Sequence, residues 1–141
     1  SRGAEALESA RQAFKDKVRI VYKDFPLGFH HQAKGAAVAA RCAGLQGKYW
    51  QMHDKLYGAQ RDLNPAAYDN HAKALGLDMT AFAKCATDPK HGQAVDADMA
   101  EGRRLGVSGT PAFFINGVML SGAQPEEAFV EAFQRELARR K

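Results

Sequence analysis

Near the start of the chain, apolar residues recur every three to four positions. Ala4, Leu7, Ala10 and Phe14 fall on one face, which predicts a helix over residues 3–15. The spacing then changes. Residues 17–22 (K-V-R-I-V-Y) are short and β-branched, which predicts a strand. Asp24-Phe25-Pro26-Leu27-Gly28 breaks it into a loop. A helical block follows. An Ala-rich helix is expected from about His31 to Leu45, with Gly47 as its stop, and Lys48 to Gly58 is a second helical stretch. Asn64-Pro65 pairs an N-cap with a proline in the first turn and opens a helix that runs to Gly76. Asp78 opens a short helix to Cys85, and Asp88-Pro89 opens one that ends near Gly106. Gln124-Pro125 opens the last helix, with Phe129, Phe133 and Leu137 on one face.

Between these last two helices lies the segment with the most specific pattern, Val107-Ser108-Gly109-Thr110-Pro111-Ala112-Phe113-Phe114-Ile115-Asn116-Gly117. A polar, glycine-bearing loop meets a proline, then an apolar run, then Asn-Gly. The run reads as a buried strand and Asn116-Gly117 as a hairpin turn. Proline has no N–H for a ladder, so Pro111 belongs at the strand's first position. The Thr110-Pro111 bond is open to the cis form, since X-Pro gives up only about 0.5–1 kcal/mol to adopt it.

Composition narrows the function classes. The chain has 141 residues, 45% of them hydrophobic, and a net charge of +4. That is enough for one domain with a core, and the chain shows no internal repeat, linker or low-complexity tract. No apolar run approaches the length of a membrane span. The cations are dispersed, with a modest basic run from Arg135 to Lys141. No nucleic-acid binding is expected, because no basic face is interleaved with aromatics. The five histidines, His30, His31, His53, His71 and His91, lack the i, i+4 pairing of a helical metal site, so no metal is expected. His30 is placed to cap the helix that follows it. Gly102, Gly106 and Gly109 do not follow a strand and open a helix, as a phosphate loop must. Tyr49, Trp50 and Tyr57 have helical spacing and read as core. No cofactor-binding motif is present.

Cys42 and Cys85 are the only cysteines. Their spacing suits neither a redox dithiol nor a zinc site. Two readings remain: buried free thiols packed as small hydrophobes, or a disulfide clipping two helices.

The element order is helix, strand, helical block, hairpin, helix. With Gly109-Thr110-Pro111-Ala112-Phe113-Phe114-Ile115-Asn116-Gly117, this order resembles the DsbA-like thiol-disulfide oxidoreductases, a thioredoxin-fold family. Weaker likenesses lie in Lys23-Asp24-Phe25-Pro26-Leu27, in Arg41-Cys42-Ala43, in Gln46-Gly47-Lys48-Tyr49-Trp50 with His53-Asp54-Lys55-Leu56, and in Phe82-Ala83-Lys84-Cys85. The resemblance implies an α/β, thioredoxin-like fold with a helical insertion over about residues 30–105, all in a single domain over 1–141. It implies that Ser108, Gly109, Thr110 and Pro111 hold an extended substrate by strand addition. It favours a structural disulfide between Cys42 and Cys85 and an extracytoplasmic, periplasmic setting. The partners implied are cysteine-containing proteins or peptides and a redox partner protein.

One departure stands out. Family members lead from a first strand into Cys-x-x-Cys at the start of the first helix, and this sequence contains no Cys-x-x-Cys. Set against the family, the first strand is missing from this chain and Ser1 falls just after the second cysteine. The opening Ser1-Arg2-Gly3-Ala4-Glu5 reads as a processed or truncated end. The slot between residues 17–22 and the hairpin would then be filled by preceding residues or by a second copy in a strand-swapped dimer. No catalytic residue is assigned within the chain. The functional expectation is a thiol-disulfide oxidoreductase domain without its dithiol. A thioredoxin-like peptide-binding module and a glutathione-handling relative are the competing readings.

Overall fold

The computed structural model describes residues 2–140. The elements run α1 (Arg2–Phe14), a 3-10 turn (Lys15–Lys17), α2 (Ala33–Gly44), α3 (Tyr49–Gly58), α4 (Pro65–Ala74), α5 (Met79–Thr87), α6 (Pro89–Arg104), β1 (Ala112–Ile115), β2 (Val118–Ser121) and α7 (Glu126–Ala138). The architecture is thioredoxin-like: mostly helical, with a small two-stranded sheet. The helices divide into two compact units, Lys23–Arg104 and the described residues on either side of it.

In the helical unit, local chemistry sets several of the helix ends. The Asn64 side chain accepts from the Ala67 N–H at 3.0 Å, and Asp78 does the same for Ala81 at 3.0 Å. Each satisfies one of the donors that a helix start leaves open. Gly76 adopts φ 72° just past α4, where a side chain would be strained. α2 begins at Ala33, two residues later than expected, and its N-cap is Gln32 with no side-chain cap, so His30 does not cap it. The core gathers Ala39, Ala40, Cys42, Ala43, Met52, Leu56, Tyr68, Ala72, Leu77, Phe82 and Cys85. Cys42 and Cys85 are joined in a disulfide between α2 and α5, with a Cα–Cα distance of 5.8 Å. Trp50 is 46% exposed, so the expectation that Tyr49, Trp50 and Tyr57 are all core fails for this residue. Tyr49 packs on the core, while Tyr57 stacks on His53 with centroids 4.3 Å apart.

The second unit packs α1 and α7 on one face of the hairpin. Phe129 is fully buried and meets Phe113 edge-on at 4.9 Å, and Phe14 meets Phe133 the same way at 5.4 Å. Such edge contacts suit the ring quadrupoles. β1 and β2 are antiparallel, with Ala112 opposite Ser121 and Ile115 opposite Val118. Asn116 (φ 49°) and Gly117 (φ 87°) are both left-handed, as the two-residue turn requires.

Residues 17–22 do not form the expected strand. Lys17 ends a 3-10 turn, Val18 is extended, and no described segment pairs with it. A strand is stabilised by its ladder, and β propensity alone does not supply one. Val18 still packs on the Phe129 and Phe133 cluster, but Val21 is 61% exposed.

Candidate functional site

The loop before β1 is where the second unit leaves polar backbone uncommitted. The Thr110–Pro111 peptide bond is cis. Val107 is buried and anchors the loop, Ser108 and Thr110 are exposed, and Gly109 and Pro111 are half-buried. Among the described residues, no hydrogen bond engages Ser108, Gly109 or Thr110. Just beyond them the ladder begins: the Pro111 carbonyl accepts from the Gly122 N–H at 2.9 Å. Hydrogen-bonded pairs alternate along an antiparallel ladder. With Pro111 opposite Gly122, the bonded pairs are Phe113 with Leu120 and Ile115 with Val118. The N–H and C=O groups of Ala112 and Phe114 therefore point away from β2, toward an edge that no described strand occupies. Loop and edge together offer main-chain donors and acceptors to an extended chain.

The other side of the site comes from the start of α1. A Cβ built on Gly3 would lie 3.2 Å from Pro111 Cγ, 3.4 Å from Phe113 Cζ and 3.7 Å from Ala123 Cα. Only a residue without a side chain fits there undisturbed. The first turn of α1 is thus seated directly against Pro111, and the open N–H groups and positive dipole end of the helix lie beside the loop. A thiolate at such a position has a lowered pKa and is poised for exchange. Sequence reasoning picked out Pro111 but not Gly3. Its only signal was a glycine inside the first turn of a helical pattern, where glycine weakens the helix relative to alanine.

The cysteines are elsewhere, in the helical unit, and both are buried, at 1% and 8% exposure. A sulfur so covered is out of reach of an incoming thiolate, so the bond serves as a cross-link. The same unit holds an ion network with no signature in the sequence. Arg41 Nε donates to Asp24 at 2.6 Å, its Nη2 donates to Asp98 at 2.7 Å, and the Asp24 N–H donates to Asp98 at 3.0 Å. Burial pushes the Asp24 carboxyl above its ordinary range, although Arg41 opposes this.

The family model for the DsbA-like thioredoxin domain matches residues 29–134, most of the chain. The protein belongs to the DsbA-like thioredoxin family. A solved structure of similar shape is a thioredoxin-like oxidoreductase from Silicibacter pomeroyi DSS-3. It superposes with a TM-score of 0.85 at 27% identity, over 99% of this chain and 79% of that one. Curated relatives include the Na(+)/H(+) antiporter NhaA 1 of Salinispora arenicola, 35% identical over 131 residues, which cover 91% of this chain and 20% of the antiporter. The antiporter NhaA 3 of Salinispora tropica is 37% identical over 116 residues, 82% of this chain and 18% of the relative. The chain therefore spans about a fifth of the length of the curated relatives it matches. No helix among the described residues is long and apolar enough to cross a membrane.

Proposed function

We propose that this chain is the peptide-docking part of a DsbA-like thiol-disulfide oxidoreductase, organised as one thioredoxin-like domain with a helical insertion. Ser108, Gly109, Thr110 and Pro111 pair their main chain with an extended, cysteine-containing segment of a substrate protein. The sulfur exchanged with it would be presented beside the N-terminal end of α1 by a group other than Cys42 and Cys85, the only cysteines in the 141 residues. In that exchange a substrate thiolate attacks an enzyme disulfide, forms a mixed disulfide and expels one enzyme thiolate. A second substrate thiol then resolves the mixed disulfide, so the substrate is oxidised by two electrons and the enzyme pair is reduced. A redox partner protein restores the enzyme disulfide.

The observation that carries this reading is the seating of Gly3 against Pro111, beside three consecutive residues with no hydrogen bond among those described. Family membership supports an oxidising, extracytoplasmic setting, as does the Cys42–Cys85 disulfide. The curated relatives are antiporters, which move ions across membranes, and this supports work at a membrane. Since the 141 residues contain no Cys-x-x-Cys, a second reading keeps the docking and drops the chemistry: a non-catalytic peptide-binding module.

Both readings are tested with the 141-residue chain and an extended peptide in which serine replaces cysteine. Amide shifts should concentrate at Ser108, Gly109, Thr110, Ala112 and Phe114. Gly3→Leu should weaken binding about tenfold or more, by forcing α1 off Pro111. Shifts confined to the helical unit would refute docking at this loop. Insulin reduction by this chain should not exceed background. Turnover that survives Cys42→Ala with Cys85→Ala, which leaves no cysteine in the 141 residues, would refute the proposed site.

A further inference from the structure

The unit that carries the docking loop is electrically lopsided. Its helices α1 and α7 run parallel, since Ser9 Oγ donates to Glu126 at 2.7 Å near one end and Phe14 meets Phe133 near the other. Both helices therefore finish on the same side. The exposed Lys15, Lys17 and Arg19 follow the end of α1, and the exposed Arg135, Arg139 and Arg140 close α7, against the carboxylates of Asp16 and Glu136. Arg135 and Arg139 are occupied with the buried Glu136, at 3.7 and 3.3 Å. Among the described residues, Lys15, Lys17, Arg19 and Arg140 form no ion pair.

Two helix C-termini present only about half a negative charge each. Six cations exceed what those dipoles and two carboxylates can balance. The opposite ends hold Glu5, Glu126 and Glu127 with one cation, Arg2, together with Pro111 against Gly3. Along α1, the docking loop and the basic end are about 20 Å apart, roughly two Debye lengths at 0.1 M salt.

We infer that this basic end is a seat for anionic phospholipid headgroups, and that it holds the unit on a membrane surface with the Pro111 loop facing away. The choice of lipid rests on the membrane setting proposed above; the charge asymmetry does not. Cations on long, flexible, exposed stems suit a headgroup layer, to which each Lys or Arg adds attraction. The two segments present no exposed aromatic for base stacking and no recognition element for a groove, which disfavours nucleic acid.

The test is co-sedimentation of the 141-residue chain with vesicles of phosphatidylglycerol mixed with phosphatidylcholine. Binding is expected to the mixed vesicles, not to phosphatidylcholine alone, and to fall away as salt rises from about 0.1 M to about 1 M. The triple variant Lys17→Gln, Arg19→Gln, Arg140→Gln should bind roughly a hundredfold more weakly, at about fivefold per charge. Glu126→Gln with Glu127→Gln should not weaken binding. Equal binding of the wild type and the triple variant, equal binding to neutral vesicles, or no binding would overturn the inference. So would tighter capture by duplex DNA. The serine peptide should still shift Ser108–Thr110 when the chain is on vesicles, and loss of those shifts on the vesicle would refute the orientation. Vesicle binding by a chain that never docks the peptide would instead refute the proposed function and leave the basic seat standing.

Discussion

The two units of this molecule solve opposite problems. The helical unit is closed. Its core is ringed by helices, stapled from α2 to α5 by the Cys42–Cys85 bond, and pinned by Arg41 between Asp24 and Asp98. Gln46 adds a two-way clip, accepting from the Asp78 N–H at 2.8 Å and donating to its carbonyl at 3.2 Å. The unit around the hairpin is open. It has a cluster of rings and no disulfide among the described residues, one sheet edge faces no described strand, and Ser108 to Thr110 are left unbonded. Unpaired backbone is a liability in a fold that needs only stability. It becomes an asset where another chain must be gripped through its own main chain. On the proposed reading, rigidity and receptivity are assigned to different parts of one sequence.

That contrast can be broken in order of expected effect. Removing the cross-link with Cys42→Ala and Cys85→Ala should cost the helical unit roughly 4 kcal/mol, from closing a loop with a sequence separation of 43. Denaturant titration followed by Trp50, the only tryptophan, reads this directly, because Trp50 lies on α3 within that unit. The proposed peptide docking at Ser108 to Pro111 should survive under native conditions. If docking disappears with the disulfide, the separation of roles is wrong.

Phe129→Ala should cost about 3–5 kcal/mol, since it empties the centre of the ring cluster that holds α1 and α7 on the hairpin. Hydrogen exchange should show the loss first in α7 and β1. Equal loosening of α2 and α5 would mean that the two units unfold as one.

A smaller effect sharpens the picture of the ion network. Asp24 has its carboxyl raised by burial above the ordinary value of 3.8. The folded chain therefore holds that proton more firmly than the unfolded chain. Its contribution favours folding at low pH and is lost as pH rises through the raised value. The stability of the native chain measured against Asp24→Asn should decline as pH climbs from about 4 toward neutrality. A rising difference would mean that Arg41 outweighs burial.

Much of this was legible where chemistry is local. Asn64, Asp78 and the Asn116-Gly117 pair each act within three residues of their own position, so their caps and turn can be read from a short window. Pro111 could be placed because proline excludes most other positions in a strand. Residues 17–22 misled for the converse reason: their composition suits a strand, and composition alone provides no partner to pair with.

The sequence by itself determined the helices, the hairpin and the proline loop, because backbone geometry and capping depend on near neighbours. Only the tertiary structure decided that Gly3 backs onto Pro111, that Arg41 joins two aspartates, and that α1 and α7 run in parallel. Those contacts join residues far apart along the chain. Packing of apolar faces selects them, and no short stretch of sequence encodes which faces will meet.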